Sequence, residues 1–225
     1  MNIEKFKDLI KNDQIINGII IITFLGLTVL YFFKIKTSVE YLILLWTALL
    51  FLISIVFFNN YIYLQTSKKV FIYTFSITFL LIFFIEAIGI KAGMIFSPNI
   101  LRFEIIAMLI ISLNWSLIIF GAYYLSQKII RQKWIKIILS AIIITFFDFV
   151  FEPVASKLHF GHWYNQSGII LNNIPLQIYI AWFVIGIVIS SILNRQKITL
   201  NSGTILYYLF SQLFFYQIIQ ISLFK

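Results

Sequence analysis

Apolar residues run in long blocks along this chain, broken at fairly regular intervals by short groups of charged or amide side chains. Reading the blocks between breaks predicts seven helices, near Ile15–Phe33, Val39–Phe58, Val70–Ile90, Phe103–Ser126, Ile135–Glu152, Ile174–Leu193 and Thr204–Phe224. Each supplies the roughly 20 residues that an α-helix needs to cross the hydrocarbon layer of a bilayer. The breaks are short, with no Pro/Gly/Ser-rich linker, low-complexity tract or internal repeat, so residues 1–225 read as a single membrane domain. The fold class expected is all-α: a polytopic integral membrane helix bundle of about seven transmembrane helices. Pro153, which lacks a backbone donor and crowds the preceding turn, is expected to stop the fifth helix. The longest polar connection then runs from Pro153 to Asn173.

Composition agrees with the pattern. Of the 225 residues 61% are hydrophobic and only 11% charged, against about 25% charged in a soluble domain. The first apolar run follows Lys5, Lys7 and Lys11 as a signal peptide would, but it is long and lacks a small-residue cleavage site, so an uncleaved first helix is expected. With no cysteine, disulfides, thiolate metal sites and cysteine nucleophiles are excluded. The net charge of +9 does not point to nucleic acid, because the basic residues lie between apolar runs instead of forming one surface with interleaved aromatics. They report topology. With the N-terminus inside, the inner connections hold eleven Lys and Arg and the outer ones six, which favours a cytoplasmic N-terminus.

Charged groups within apolar helices cost at least about 2.5 kcal/mol each on insertion scales, so the few present call for a reason. Glu86 lies near the end of the third predicted helix in LLIFFIEAIGI; Asp148 and Glu152 lie near the end of the fifth in IIITFFDFVFEPVA. The two helices run the same way, which brings the three carboxyls to one depth near the outer face. Spacing of i, i+4 puts Asp148 and Glu152 on one side of their helix. Carboxylates gathered in a low-dielectric place cannot all ionise cheaply, so at least one is expected to hold a proton and to be able to donate it. The alternative is that all three cap helix ends in the headgroup layer or tie helices together.

Beyond Glu152 the segment EPVASKLHFGHWYNQSGIILNNIP gathers His159, His162, Trp163 and Tyr164. His-x-x-His has no further ligand close by and no His-Glu-x-x-His motif accompanies it, so no metal is expected. Trp163 and Tyr164 also suit a membrane-interface aromatic belt. Asn114–Trp115 lies about ten residues, roughly 15 Å, from the outer end of the fourth helix, where an asparagine commonly bonds to a neighbouring helix. No nucleophile triad or phosphate loop is present.

The stretch FDFVFEPVASKLHFGHWYNQSGIILNNIPLQIYIAW, with FFIEAIGIKAG, the Asn114–Trp115 pair and the seven-helix layout, resembles the membrane carotenoid biosynthesis proteins. More narrowly it resembles the carotenoid 1,2-hydratase (CruF-type) family in its Bacteroidetes branch. The resemblance spans about Phe83 to Trp182 and rests on Asp148-x-x-x-Glu152-Pro153 followed by Trp163, Ile174-Pro175 and Trp182. Two departures stand out: MIFSPNILRFE replaces a Phe-Gly-x-Tyr-x-Tyr loop, and Ile178 replaces an asparagine.

The resemblance implies addition of water to the terminal double bond of an acyclic carotenoid, without cofactor or metal. Glu86, Asp148 and Glu152 are the implied acids. Asn114, Trp115, His162, Trp163, Tyr164 and Trp182 are the implied substrate-binding residues, with tryptophan faces stabilising a cation. The implied partners are a lipid-soluble carotenoid, membrane lipid and other enzymes of carotenoid biosynthesis. Ring closure by the same acid, or a non-catalytic membrane subunit or transporter, stay open as alternatives.

Overall fold

The computed structural model describes residues 14, 17–26, 28–29, 68–91, 94–96, 104–157, 161–163, 169–171, 174–198 and 204–223. Among them six helices follow in chain order: α1 (Asn17–Gly26), α2 (Lys68–Lys91), α3 (Glu104–Ile129), α4 (Lys133–Lys157), α5 (Leu176–Arg195) and α6 (Thr204–Leu223). Within α2, α3, α4 and α5 lie four segments long and apolar enough to cross a membrane, 20 to 23 residues each. The expectation of about seven spans is met to that extent. The predicted helix Val39–Phe58 lies outside the described residues, and the described part of the first helix is short.

Apolar side chains cover these helices on all sides, as lipid on one side and protein on the other require. Burial distinguishes them. In α3 72% of the spanning window is buried inside the protein, against 33 to 39% in the windows of α2, α4 and α5, so α3 is the axis around which the others pack. Phe71 and Phe75 of α2 meet Phe120 of α3 at 5.6 and 5.3 Å between ring centroids. Phe24 of α1 lies 6.1 Å from the Tyr208 ring and 5.9 Å from the Phe215 ring of α6.

The most extensive helix pairing is α4 with α5, and small residues make it close. A Cβ placed on Gly186 would stand 2.9 Å from the Ala141 Cα, and Ser190 Oγ donates to Ser140 Oγ at 2.9 Å one turn away. Without a hydrophobic effect between helices in lipid, such close backbone approach and interhelical hydrogen bonding are the main sources of association.

Four short strands depart from a purely helical reading. β1 (Met94–Phe96), after α2, pairs antiparallel with β2 (Gly161–Trp163), after α4, in the register Met94↔Trp163, Ile95↔His162 and Phe96↔Gly161. β3 (Ile170–Leu171) pairs with β4 (Ile174–Pro175), and Leu176 N–H closes this hairpin onto Ile169 O at 2.9 Å. The first ladder clasps the C-terminal ends of α2 and α4 at one end of the bundle. The second sets the start of α5 at Leu176, two residues after the expected boundary, because Pro175 holds an extended backbone (φ −60°, ψ 130°) at the N-cap.

Pro153 does not stop its helix, contrary to expectation: α4 continues through it to Lys157. Phe151, Glu152, Val154 and Ala155 on that last stretch are all buried. Their packing outweighs the loss of one helical hydrogen bond.

Candidate functional site

Glu86 sits near the C-terminal end of α2, and Asp148 and Glu152 near that of α4; the β1–β2 ladder joins those two ends. All three carboxyls are buried, Asp148 completely. They are close enough to repel one another electrostatically: Glu86 with Glu152, and Asp148 with both. The three acids that the sequence singled out are therefore one cluster in the protein interior, and they do not cap helix ends in water. Neither oxygen of Asp148 has a hydrogen-bond partner among the described residues. A buried polar group left in that state costs about 1 to 3 kcal/mol.

Aromatic rings wall the cluster. Phe151 lies on the same side of α4 as Asp148 and Glu152, at i+3 from the first, and meets Trp115 of α3 edge-on at 5.9 Å and 85°. Trp115 in turn stacks on Trp182 of α5, with centroids 3.9 Å apart and planes 24° from parallel. A stack this tight admits nothing between the indoles, so only an outer face or an edge of either ring is left to meet a ligand. On the other side Phe151 contacts the Tyr216 ring of α6 at 5.2 Å.

One turn before Trp182 on α5 lies Tyr179, 5% exposed. Its ring packs on Phe149 at 5.6 Å. Its buried hydroxyl has no hydrogen-bond partner among the described residues but lies within electrostatic reach of Asp148 and Glu152. Asp148 and Tyr179 are thus neighbouring buried polar groups whose hydrogen-bonding capacity no described residue uses.

A second polar group lies between α3 and α6. Asn114 Oδ1 accepts from the Tyr208 hydroxyl and from Gln212 Nε2, the latter at 3.0 Å, and Gln212 Nε2 also donates to the Tyr216 hydroxyl at 2.9 Å. Asn114 therefore binds a neighbouring helix, as an interior asparagine in a membrane bundle commonly does, and it holds the helix that carries Trp115 against α6.

A family model described as carotenoid biosynthesis protein matches residues 40–224, well over half of the chain and every residue of this site. The chain belongs to the carotenoid biosynthesis protein family. No curated protein and no solved structure matches it.

Of the residues expected to serve a carotenoid biosynthesis protein, the fold brings Glu86, Asp148 and Glu152 together, stacks Trp115 on Trp182 beside them, and turns Asn114 toward α6. His162 and Trp163 lie on β2, so their backbone belongs to the clasp at this end of the bundle. Their side chains, and Tyr164, lie outside the described residues. Ile178, at the position where the resemblance leads one to expect an asparagine, is a partly buried apolar residue packed against the core. No group of three or more His, Cys, Asp or Glu with metal-binding geometry occurs among the described residues.

The sequence reading missed Tyr179, Tyr208, Gln212 and Tyr216. A signal was available for three of them: Tyr208, Gln212 and Tyr216 recur at four-residue intervals and so form one stripe along the last helix. Tyr179 carried only its i, i+3 relation to Trp182, which many buried aromatics share.

Proposed function

We propose that the protein is a CruF-type carotenoid hydratase of the hydro-lyase kind, adding water across the terminal 1,2 double bond of an acyclic carotenoid end group with no cofactor. The observation that carries this reading is Asp148. Its carboxyl is buried with both oxygens unpartnered among the described residues, next to two more carboxyls and an unpartnered tyrosine hydroxyl. An otherwise apolar, aromatic interior around an acid with unused hydrogen-bonding capacity suits protonation of an alkene followed by capture of water.

Asp148 in its acid form donates a proton to C-2 of the end group, and the π electrons of the 1,2 bond form the new C–H bond. This leaves a tertiary cation at C-1. An outer indole face of Trp115 or Trp182 stabilises that cation by about 0.5 to 2 kcal/mol. Water adds to C-1, and its surplus proton goes to a carboxylate of the cluster, Glu152 or Glu86, from which Asp148 is reprotonated. The protein ends with the protons it began with, and one water has become a C–H and a C–OH bond. The distribution of Lys and Arg supports a cytoplasmic N-terminus, with the cluster toward the outer face, and the resemblance to a bacterial branch of the family supports a bacterial inner membrane as the location.

Expression in a lycopene-accumulating bacterium with mass analysis of the pigments tests reaction and substrate together. Hydration adds one water per reacted end; ring closure by the same acid adds nothing to the mass. Asp148→Asn, Glu152→Gln and Glu86→Gln should each leave the membrane protein in place, and loss of product is expected in at least the first. Full activity in all three variants would sink the proposed acid chemistry, and unchanged pigment with co-purifying pathway enzymes would favour a non-catalytic subunit.

A further inference from the structure

Between α4 and α5, open at the outer surface of the described bundle, runs a groove of about 350 Å³. Ile142, Thr145, Phe146 and Phe149 of α4 form one wall, and Tyr179 and Phe183 of α5 the other. Leu171 of β3 and Leu176 close it at the end where the strands lie. The groove offers a ligand almost no polarity. Its one hydroxyl on the α4 wall, Thr145 Oγ1, is spent on Ala141 O at 2.9 Å. Ile142 and Phe146 are half exposed, as residues on a lipid-facing surface are.

Tyr179 belongs to both the groove and the carboxyl cluster. Its side chain lines the groove, while its hydroxyl is buried and unpartnered among the described residues, within electrostatic reach of Asp148 and Glu152. One aromatic side chain is therefore the partition between a lipid-facing apolar slot and the buried acids.

We propose that this groove is the binding slot for the linear hydrocarbon chain of the substrate, which lies along α4 and α5 with its reacting end directed past Tyr179 toward Asp148. The inference rests on the carotenoid reading and deepens it by naming the substrate's path. The occupant is a long acyclic polyene and not a lipid headgroup, because the walls carry no charge for a phosphate or amine and their one unpartnered hydroxyl, that of Tyr179, is buried, whereas a hydrocarbon needs only apolar contact. Tyr179 lines the groove and packs on Phe149, the residue next to Asp148 in α4, and that proximity to the carboxyl cluster separates this groove from an ordinary annular-lipid surface.

The test measures lycopene retained by the full-length protein purified in detergent, quantified by visible absorption per mole of protein. Ile142→Trp and Thr145→Trp, tested separately, fill the groove without touching the carboxyls. Ile138→Trp, on the same lipid-facing side of α4 but outside the groove, is the control. Both groove variants should lose lycopene by about tenfold or more, the scale of an overpacking clash, while the control retains it and all three elute as folded protein on size exclusion. Wild-type retention in both folded groove variants, or equal loss in the control, overturns the proposal. Asp148→Asn separates this inference from the hydratase reading: retention unchanged with product lost supports both. Groove-dependent retention by a wild-type protein that forms no hydrated product supports the slot alone.

Discussion

Gly186→Ala tests how tightly the α4–α5 seam is built. The added Cβ would lie 2.9 Å from the Ala141 Cα, 3.1 Å from its Cβ and 3.2 Å from Ile144 Cδ1, where carbon atoms prefer about 3.5 to 4.0 Å. Ile144 Cδ1 ends a flexible side chain and can retreat. The Ala141 Cα is backbone in mid-helix and cannot, so the helices must part by roughly 0.5 to 1 Å at this point. That strain costs about 1 to 3 kcal/mol. It also stretches the Ser190–Ser140 hydrogen bond, 2.9 Å long and one turn away, whose loss adds about 0.5 to 1.5 kcal/mol. The expected destabilisation is therefore about 2 to 4 kcal/mol. Unfolding by SDS from mixed micelles, followed by far-ultraviolet circular dichroism, measures it. Ala141→Gly in the same chain removes only the 3.1 Å contact and leaves the 2.9 Å one, so it should restore part of the loss and no more. Unchanged stability in Gly186→Ala, or complete rescue by Ala141→Gly, would refute the close-packed seam.

Three further outcomes follow from the site. Asn114→Leu strands the Tyr208 hydroxyl and Gln212 Nε2, and should lower stability by about 1 to 3 kcal/mol in the same SDS assay; a neutral effect would mean that this hydrogen-bonded group does not hold α3 to α6. Trp182→Leu removes the partner of Trp115. Product yield in the lycopene host should fall about 2- to 30-fold if an indole face stabilises the cation, with an accompanying loss of stability from the vacated ring volume. Tyr179→Phe keeps the ring that walls the groove and removes a hydroxyl that bonds to nothing among the described residues. Stability should hold or rise slightly while the hydration rate falls; a loss of stability with full product yield would assign the hydroxyl a structural role instead.

Much of the site was legible because ionisable side chains in apolar helices are rare and expensive. Glu86, Asp148 and Glu152 stand out from their flanking Ile and Phe residues without any structure, and the direction of successive helices was enough to put them at one end. Trp115 and Trp182 could be named from the family resemblance, but not as a stacked pair, since 67 residues separate them and no spacing rule reaches that far. Pro153 misled because the rule that proline ends a helix weighs only its own hydrogen bond and ring. The burial of Phe151, Val154 and Ala155 around it enters only when the neighbouring helices are in place.

The sequence by itself determined that this chain forms apolar helices of bilayer length and that its few buried acids collect at one end of the helix bundle. Both conclusions follow from the cost of exposing backbone or charge to hydrocarbon, which each segment bears on its own. It did not determine which side of each helix faces protein. In lipid every side is apolar, so the periodicity that marks the inside of a soluble helix carries little signal. Tertiary packing decided that: the Gly186–Ala141 approach set α4 against α5, and that pairing aligned Tyr179 with Asp148 and left the groove beside them.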